Sequence, residues 1–148
     1  MAGESTVKTE TLLTLQSRLD AIALIWPWLE SLASEYRIPA ETQFAVDLCL
    51  EEAVSNVVRH GYDAQTDQPV TVEFKAGADE LTFTIEDHAP PFNPLLDTTT
   101  ENAPAASSIE EFPVGGLGIL LMKKFAKNLE YKALDDGNRL TIRFPLGR

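Results

Sequence analysis

The sequence is poor in the residues that most often announce chemistry. It has one cysteine, Cys49, and two histidines, His60 and His88, in 148 residues. A single thiol excludes a disulfide framework within the chain. So few His and Cys, far apart, give no zinc-like ligand spacing. Positive charge is also scarce: 12 Lys and Arg stand against 23 Asp and Glu, for a net charge of −11. That field opposes approach to nucleic acid or to an anionic membrane, so neither is expected as a direct partner, and a basic protein surface suits the chain better. No apolar run approaches the ~20 residues of a membrane span. Met1 to Lys8 is polar and no uninterrupted apolar run follows it, unlike a signal peptide. The expectation is a cytoplasmic protein with Cys49 as a buried core thiol.

What remains is ordinary for a globular chain. The apolar fraction is 44% and the charged fraction 24%, and the length suits one domain, 1–148, with a proper core. Lys8 to Leu15 alternates weakly and is read as an edge strand. Arg18 to Tyr36 carries Leu19, Ile22, Trp26, Leu29 and Leu32 at helical spacing. Pro27 removes a donor inside that pattern and either kinks the helix or marks a restart. Trp26 and Trp28 are read as packing residues. A second helix is expected from about Ala40 to His60, stopped by Gly61, with Phe44, Leu48, Val54 and Val57 as its apolar stripe. Pro69 to Lys75 and Leu81 to Glu86 alternate as strands around a hairpin at Gly77 to Glu80. Asn93 to Val114 has no periodicity and holds Pro94, Pro104 and Pro113. A connection of that length suggests a lid or binding loop. A third helix follows, with Leu117, Leu120, Leu121 and Phe125 inward and Lys123, Lys124 and Lys127 outward. Two further strands, Asn128 to Leu134 and Arg139 to Phe144, flank a turn at Asp135 to Gly137. The fold class is α/β: a two-layer sandwich in which helices cover one face of a mixed, mainly antiparallel sheet.

Three stretches could carry chemistry. Glu52 and Asn56 lie four apart in the second helix, with His60 four further on, so the three share one face. That face sets a carboxylate beside a neutral amide in an apolar segment. Asp87 ends a strand, ahead of the stiff Pro90-Pro91-Phe92, and is either a turn-capping group or an acceptor for an exocyclic amine. Gly115-Gly116-Leu117-Gly118 opens a helix, and is either a plain tight turn or an anion site built from free N–H groups. It is not a P-loop, since no Lys and Ser/Thr follow in the required places.

Taken together, these stretches resemble a known family. Glu52-Ala53-Val54-Ser55-Asn56, continuing to His60-Gly61-Tyr62, resembles the N-box of the histidine-kinase-like (GHKL) ATPase superfamily. Asp87-His88-Ala89-Pro90-Pro91-Phe92 resembles its Asp-x-Gly-x-Gly motif and is more similar to the Asp-x-Gly-x-x-Phe form of the anti-sigma-factor serine/threonine kinases. Gly115 to Ile119 resembles the glycine box after the ATP lid, and 93–114 occupies the place of that lid. The resemblance implies a Bergerat-type ATP-binding fold with ATP and Mg²⁺ as cofactors. It implies that Asn56 ligates Mg²⁺ and that Glu52 is the general base or positions water. It also implies that Asp87 binds the adenine amine, that backbone groups of Gly116, Leu117 and Gly118 bind phosphate, and that Arg59 lies near the phosphates. Two positions depart from the pattern. Ala89 stands where the motif usually has Gly, and its methyl is expected to crowd the base pocket or block a positive φ. Asn138 stands where relatives often keep a Thr that supports the adenine contact, and offers a hydrogen-bonding group of different reach.

The implied function is an ATP-dependent kinase that phosphorylates a small antagonist protein, of the anti-sigma type. The alternative is a non-catalytic module that sequesters a partner, with nucleotide as a structural ligand or lost. The implied partner is a sigma factor or a small anti-anti-sigma-like antagonist, and family relatives are often dimers, which makes a homodimer an expectation.

Overall fold

The computed structural model describes residues 11–62, 67–93 and 116–146. The expected lid, 93–114, lies outside these residues except for Asn93, and so do Lys8 to Glu10 of the proposed edge strand.

Five strands form one sheet: β1 (Leu12–Gln16), β2 (Pro69–Ala76), β3 (Glu80–Asp87), β4 (Asn128–Leu134) and β5 (Gly137–Pro145). Their order is β1-β2-β3-β5-β4 and every neighbouring pair is antiparallel. Among the described residues the sheet is therefore antiparallel rather than mixed: β3 and β4 run the same way, but β5 lies between them, so no two neighbours are parallel. Strict alternation explains the layering. Leu81, Phe83 and Ile85 of β3 are buried and Thr82, Thr84 and Glu86 are half-buried, so one face packs and the other meets solvent. Phe83 sits at the centre of the packed face. It meets Phe74 of β2 at 5.2 Å, Phe144 of β5 at 5.9 Å and Trp28 from the helical layer at 6.2 Å.

The helical layer contains α1 (Ile25–Tyr36), α2 (Ala40–Asn56) and α3 (Gly116–Phe125). A 3₁₀ turn over Leu19–Leu24 precedes α1, which begins two residues before Pro27. Pro27 thus marks a restart rather than a kink, because in the first turn its missing N–H has no helical partner to lose. Trp28 is buried as expected, but Trp26 is 37% exposed. Arg37 ends α1 at φ 58°, a left-handed position more often held by glycine.

The inward face of α2 is rotated from the one expected. Val54 and Val57 are buried as expected, but in the first half of the helix Val46, Cys49 and Leu50 are buried, with Ala53, whereas Phe44 is 58% exposed and Leu48 half-buried. Both sets satisfy helical spacing; the set containing the small Ala53 and Cys49 is the one buried in the common core. The helix also does not continue regularly to His60. Val57–Gly61 is a π turn, closed by the Tyr62 N–H donating to the Val57 carbonyl at 2.8 Å. In α3, Lys123 and Lys124 are exposed as expected, Leu120 and Phe125 are half-buried and Met122 is fully buried; the side chains of Leu117 and Leu121 lie outside the described residues. Among the described residues no helix is long and apolar enough to cross a membrane.

One buried group opposes this packing. Asp47 of α2 is buried with its Oδ1 unpartnered. Burial, reinforced by the hydrogen-bonded and like-charged Glu51 carboxyl one turn on, pushes the Asp47 pKa from 3.8 up to about 7. Between those values the folded chain holds a proton that the unfolded chain releases, so stability falls as pH rises through that window. Asp47→Asn is expected to raise the unfolding free energy at pH 8 by about 1–3 kcal/mol. It should also flatten the pH dependence of stability between about pH 4 and 7, both measurable by urea titration across pH.

Candidate functional site

The site forms where the end of α2 lies over the C-terminal end of β3 and the start of β5. Its geometry begins with register. Asp87 of β3 pairs directly with Asn138 of β5, and both are buried. The strands can approach there because the residue before Asn138 is Gly137. A Cβ on Gly137 would lie 1.8 Å from the Asp87 carbonyl oxygen and 3.0 Å from the His88 Cα.

A buried carboxylate needs donors. The Ala89 N–H and the Asn138 Nδ2 both donate to Asp87 Oδ1 at 2.8 Å. Burial pushes the Asp87 pKa above its ordinary value, and these two donors, Asn138 first, pull it part of the way back. The loop beyond is held from two sides. The Phe92 N–H donates to Asn138 Oδ1 at 2.9 Å. The His88 N–H donates to the Tyr62 hydroxyl at 2.6 Å, which in turn donates to the Pro69 carbonyl at 2.7 Å.

Ala89 neither crowds this site nor strains it. Among the described residues the non-glycine positions with positive φ are Arg37 and Asp67, so Ala89 is not one. Its methyl is buried against Gly61, where an added Cβ would stand 3.3 Å from the Ala89 Cβ. The missing side chain at Gly61 makes the room that the usual glycine at 89 would have made.

Over this floor lies a small cavity that opens to solvent. Ala53 and Asn56 of α2 and Val57 of the π turn form one wall, and Ile85 and Asp87 of β3 form the floor with Leu140 and Asn138 of β5. Phe92 and Tyr131 complete the lining. Asn56 is buried and hydrogen-bonds through its side chain to Glu52. Glu52 is half-buried with its Oε2 unpartnered. Burial raises the Glu52 pKa, while the Arg59 charge and then the Asn56 hydrogen bond lower it in part. Arg59 itself is exposed.

The structure thus brings together Glu52, Asn56, Asp87 and Asn138, with Arg59 near enough to act on Glu52 electrostatically. His60 leaves the Glu52–Asn56 row, because the π turn breaks the four-residue spacing. It is exposed, and its ring instead lies 5.7 Å from that of Phe92. Gly116, Leu117 and Gly118 form the first turn of α3, where backbone N–H groups have no partner within the helix. Gly115 lies outside the described residues. Two site residues escape a reading of the sequence. Gly137 looks like an ordinary turn glycine after Asp135-Asp136, and Tyr131 like one more alternating strand residue. The alternation did carry the signal for Tyr131, since it places that ring on the same sheet face as Asn138.

Known proteins are similar to this chain in sequence and in fold. Residues 15–144 match the model of the histidine kinase-like ATPase domain. The serine/threonine-protein kinase BtrW of Bordetella bronchiseptica is 30% identical over 138 residues, 91% of this chain and 92% of that protein. An anti-sigma F factor of Clostridium perfringens is 27% identical over 99 residues, 66% of this chain and 69% of that protein. In fold, the chain is similar to the histidine kinase domain of the Erythrobacter litoralis EL346 blue-light activated histidine kinase, with TM-score 0.54 and 16% identity. That match covers 99% of this chain and 66% of the other. Against a longer chain of the same kinase the TM-score is 0.53 at 18% identity, covering 74% of this chain and about a third, 32%, of the kinase.

The Gly137 approach yields a direct test. Gly137→Ala drives a methyl into the Asp87 backbone, and is expected to lower the unfolding free energy by about 1–3 kcal/mol, the usual scale for overpacking. Chemical denaturation of the two proteins checks it.

Proposed function

The chain belongs to the histidine kinase-like ATPase domain family, and from that premise we propose that it is an ATP-binding regulatory serine/threonine protein kinase of the anti-sigma type. Its substrate in this reading is a small antagonist protein, and the site of action is the cytoplasm. The observation that carries the reading is the pair on α2: Glu52, with a buried unpartnered oxygen, hydrogen-bonded to Asn56 at the wall of a cavity floored by Asp87.

Each residue has a task in this reading. Asp87 accepts a hydrogen bond from the exocyclic amine of adenine. Val57, Ile85 and Leu140 give the ring an apolar enclosure. The N–H groups of Gly116, Leu117 and Gly118 receive phosphate at the start of α3. Glu52 takes the proton from the Ser or Thr hydroxyl as its oxygen bonds to the transferring phosphoryl group and ADP departs. Arg59 adds positive charge beside it.

The donor set fits Mg²⁺. The Asn56 amide and the unpartnered Glu52 oxygen offer hard oxygens, and no group of three or more His, Cys, Asp or Glu ligands occurs among the described residues. That suits an ion that draws most of its ligands from water and phosphate. Asn56 would hold the ion, which would neutralise phosphate charge when bound.

A second reading keeps nucleotide binding and removes transfer: a module that sequesters a sigma factor or antagonist. The name of the Clostridium relative, an anti-sigma F factor, favours keeping it in view. Dimerisation is part of the proposal in either reading.

Calorimetry with Mg²⁺ and ATP is expected to show binding that Asp87→Asn weakens at least tenfold, and no binding at millimolar ATP would overturn the reading. With labelled ATP and purified candidate partners, Glu52→Gln should keep nucleotide affinity and lower phosphoryl transfer by roughly 10²-fold or more. A partner that binds wild type in a nucleotide-dependent way yet gains no phosphate over hours would establish the second reading instead. Transfer requires Glu52 ionised, so its rate should rise with pH through a pKa above that of an exposed Glu. Arg59→Ala removes a charge that lowers this pKa. The variant should therefore move the acid limb of the rate profile to higher pH.

A further inference from the structure

β4 is an edge of the sheet. It pairs with β5 on one side and stands last in the order β1-β2-β3-β5-β4. The two-residue turn Asp135-Asp136 joins it to β5 and closes on the pair Leu134–Gly137. The pair that closes such a turn is a hydrogen-bonding pair, and these alternate with non-bonding pairs along an antiparallel ladder. Asn128, Glu130, Lys132 and Leu134 therefore direct their main-chain groups at β5, while those of Leu129, Tyr131 and Ala133 point away from it. Among the described residues no backbone group outside the sheet pairs with these three. The side chains alternate too. Tyr131 lies opposite Leu140 on the core face, whereas Glu130 lies opposite Thr141 and Lys132 opposite Arg139 on the outer face. Like charges directly opposite destabilise a sheet. Arg139 is met by Glu86 at 2.6 Å, but Lys132 has no ion pair among the described residues. Glu130 meets Arg143 at 2.9 Å and keeps a side chain that is 63% exposed.

We infer that two copies of this chain join through β4, strand to strand and antiparallel, about a two-fold axis at Tyr131. The charges on β4 fix that register. With Tyr131 opposite Tyr131 of the second copy, Glu130 faces the second copy's Lys132, and Lys132 faces its Glu130. Leu129 then faces Ala133 on the core side, and the outward main-chain groups of Leu129, Tyr131 and Ala133 all gain partners. A slip of two residues in one direction brings Glu130 against Glu130, and in the other Lys132 against Lys132. A slip of one residue sets the core face of one copy beside the outer face of the other. The opposite edge of the sheet, β1, reads Leu12-Leu13-Thr14-Leu15-Gln16 and holds no charge that could select a register. Tyr131 also lines the cavity, so the join sets the second copy's Tyr131 at the margin of the site. The inference rests on the dimer proposed above and adds the surface that forms it.

Sedimentation equilibrium of the full chain over a wide range of concentration provides the test. Wild type is expected to dimerise. Glu130→Lys and Lys132→Glu, each alone, should weaken association about tenfold or more, because symmetry turns two attractive pairs into two repulsive ones. Mixing these two variants in equal amounts should restore association, since every charge then meets its opposite. A folding defect in either variant would not be repaired by mixing. Ala133→Pro removes an outward N–H that β5 does not use, a change that an edge strand tolerates, and should also weaken association about tenfold or more. A mixture that associates no better than its two components overturns the inference. So does a wild-type dimer that neither charge reversal alters, which places the interface on another surface. A chain that stays monomeric at every concentration removes the dimer itself along with this proposal.

Discussion

Burying a carboxylate at a strand end is costly unless the chain supplies donors in fixed places, and Asp87 sets that demand here. Its two donors come from opposite directions. Ala89 follows it in sequence, and Asn138 arrives across the β3–β5 ladder. The ladder can close only because Gly137 has no side chain to meet the Asp87 carbonyl. From that register follow the course of the Ala89–Phe92 loop, tied to Asn138, and the partnership of Ala89 with Gly61 at the end of α2. The floor of the cavity and the wall above it are thus set by one pairing.

α2 meets a different constraint, since it must pack against the core while carrying polar side chains along the same helix. Its inward side is closed by Val46, Leu50, Ala53 and Val54, while Asn56 beside that stripe lines the cavity and Glu52 sits one turn before it. Flanking the core gives Glu52 enough desolvation to raise its pKa, and Arg59 and Asn56 keep the rise within bounds. The π turn at Val57–Gly61 then carries His60 away from the row and toward Phe92.

Much of this is legible in the sequence, for identifiable reasons. β2, β3 and β5 alternate in sequence, so their positions and buried face follow from period two, whereas the weak alternation around β1 places that strand only roughly. The pairing of Glu52 with Asn56 follows from helical spacing. The rotation of α2 does not, because Phe44 and Leu48 satisfy the period as well as Val46 and Cys49, and only the packed sheet selects between them. The π turn is invisible because its residues, Val57 to Gly61, read as a helix with a glycine stop. Ala89 looks like a defect until Gly61 is seen opposite it, a contact between residues 28 apart that no local pattern encodes. Asn138 looks like a weaker version of a familiar residue. Its five partners come from β3, β4 and the intervening loop, and only tertiary structure gathers them.

The strand order β1-β2-β3-β5-β4 has a consequence for how the molecule is made. β5 is the last strand of the described sheet in sequence, yet it lies inside, between β3 and β4. During synthesis the earlier strands leave the ribosome with β3 as an open edge, and Asp87 waits for a donor 51 residues downstream. The sheet cannot be completed by growth at its margin. It closes by insertion, a long-range step of the kind that slows folding and leaves an unpaired edge available to other chains meanwhile. The pocket therefore matures together with the fold rather than after it, and a nascent chain that lacks β5 has neither a finished sheet nor a floor to its cavity.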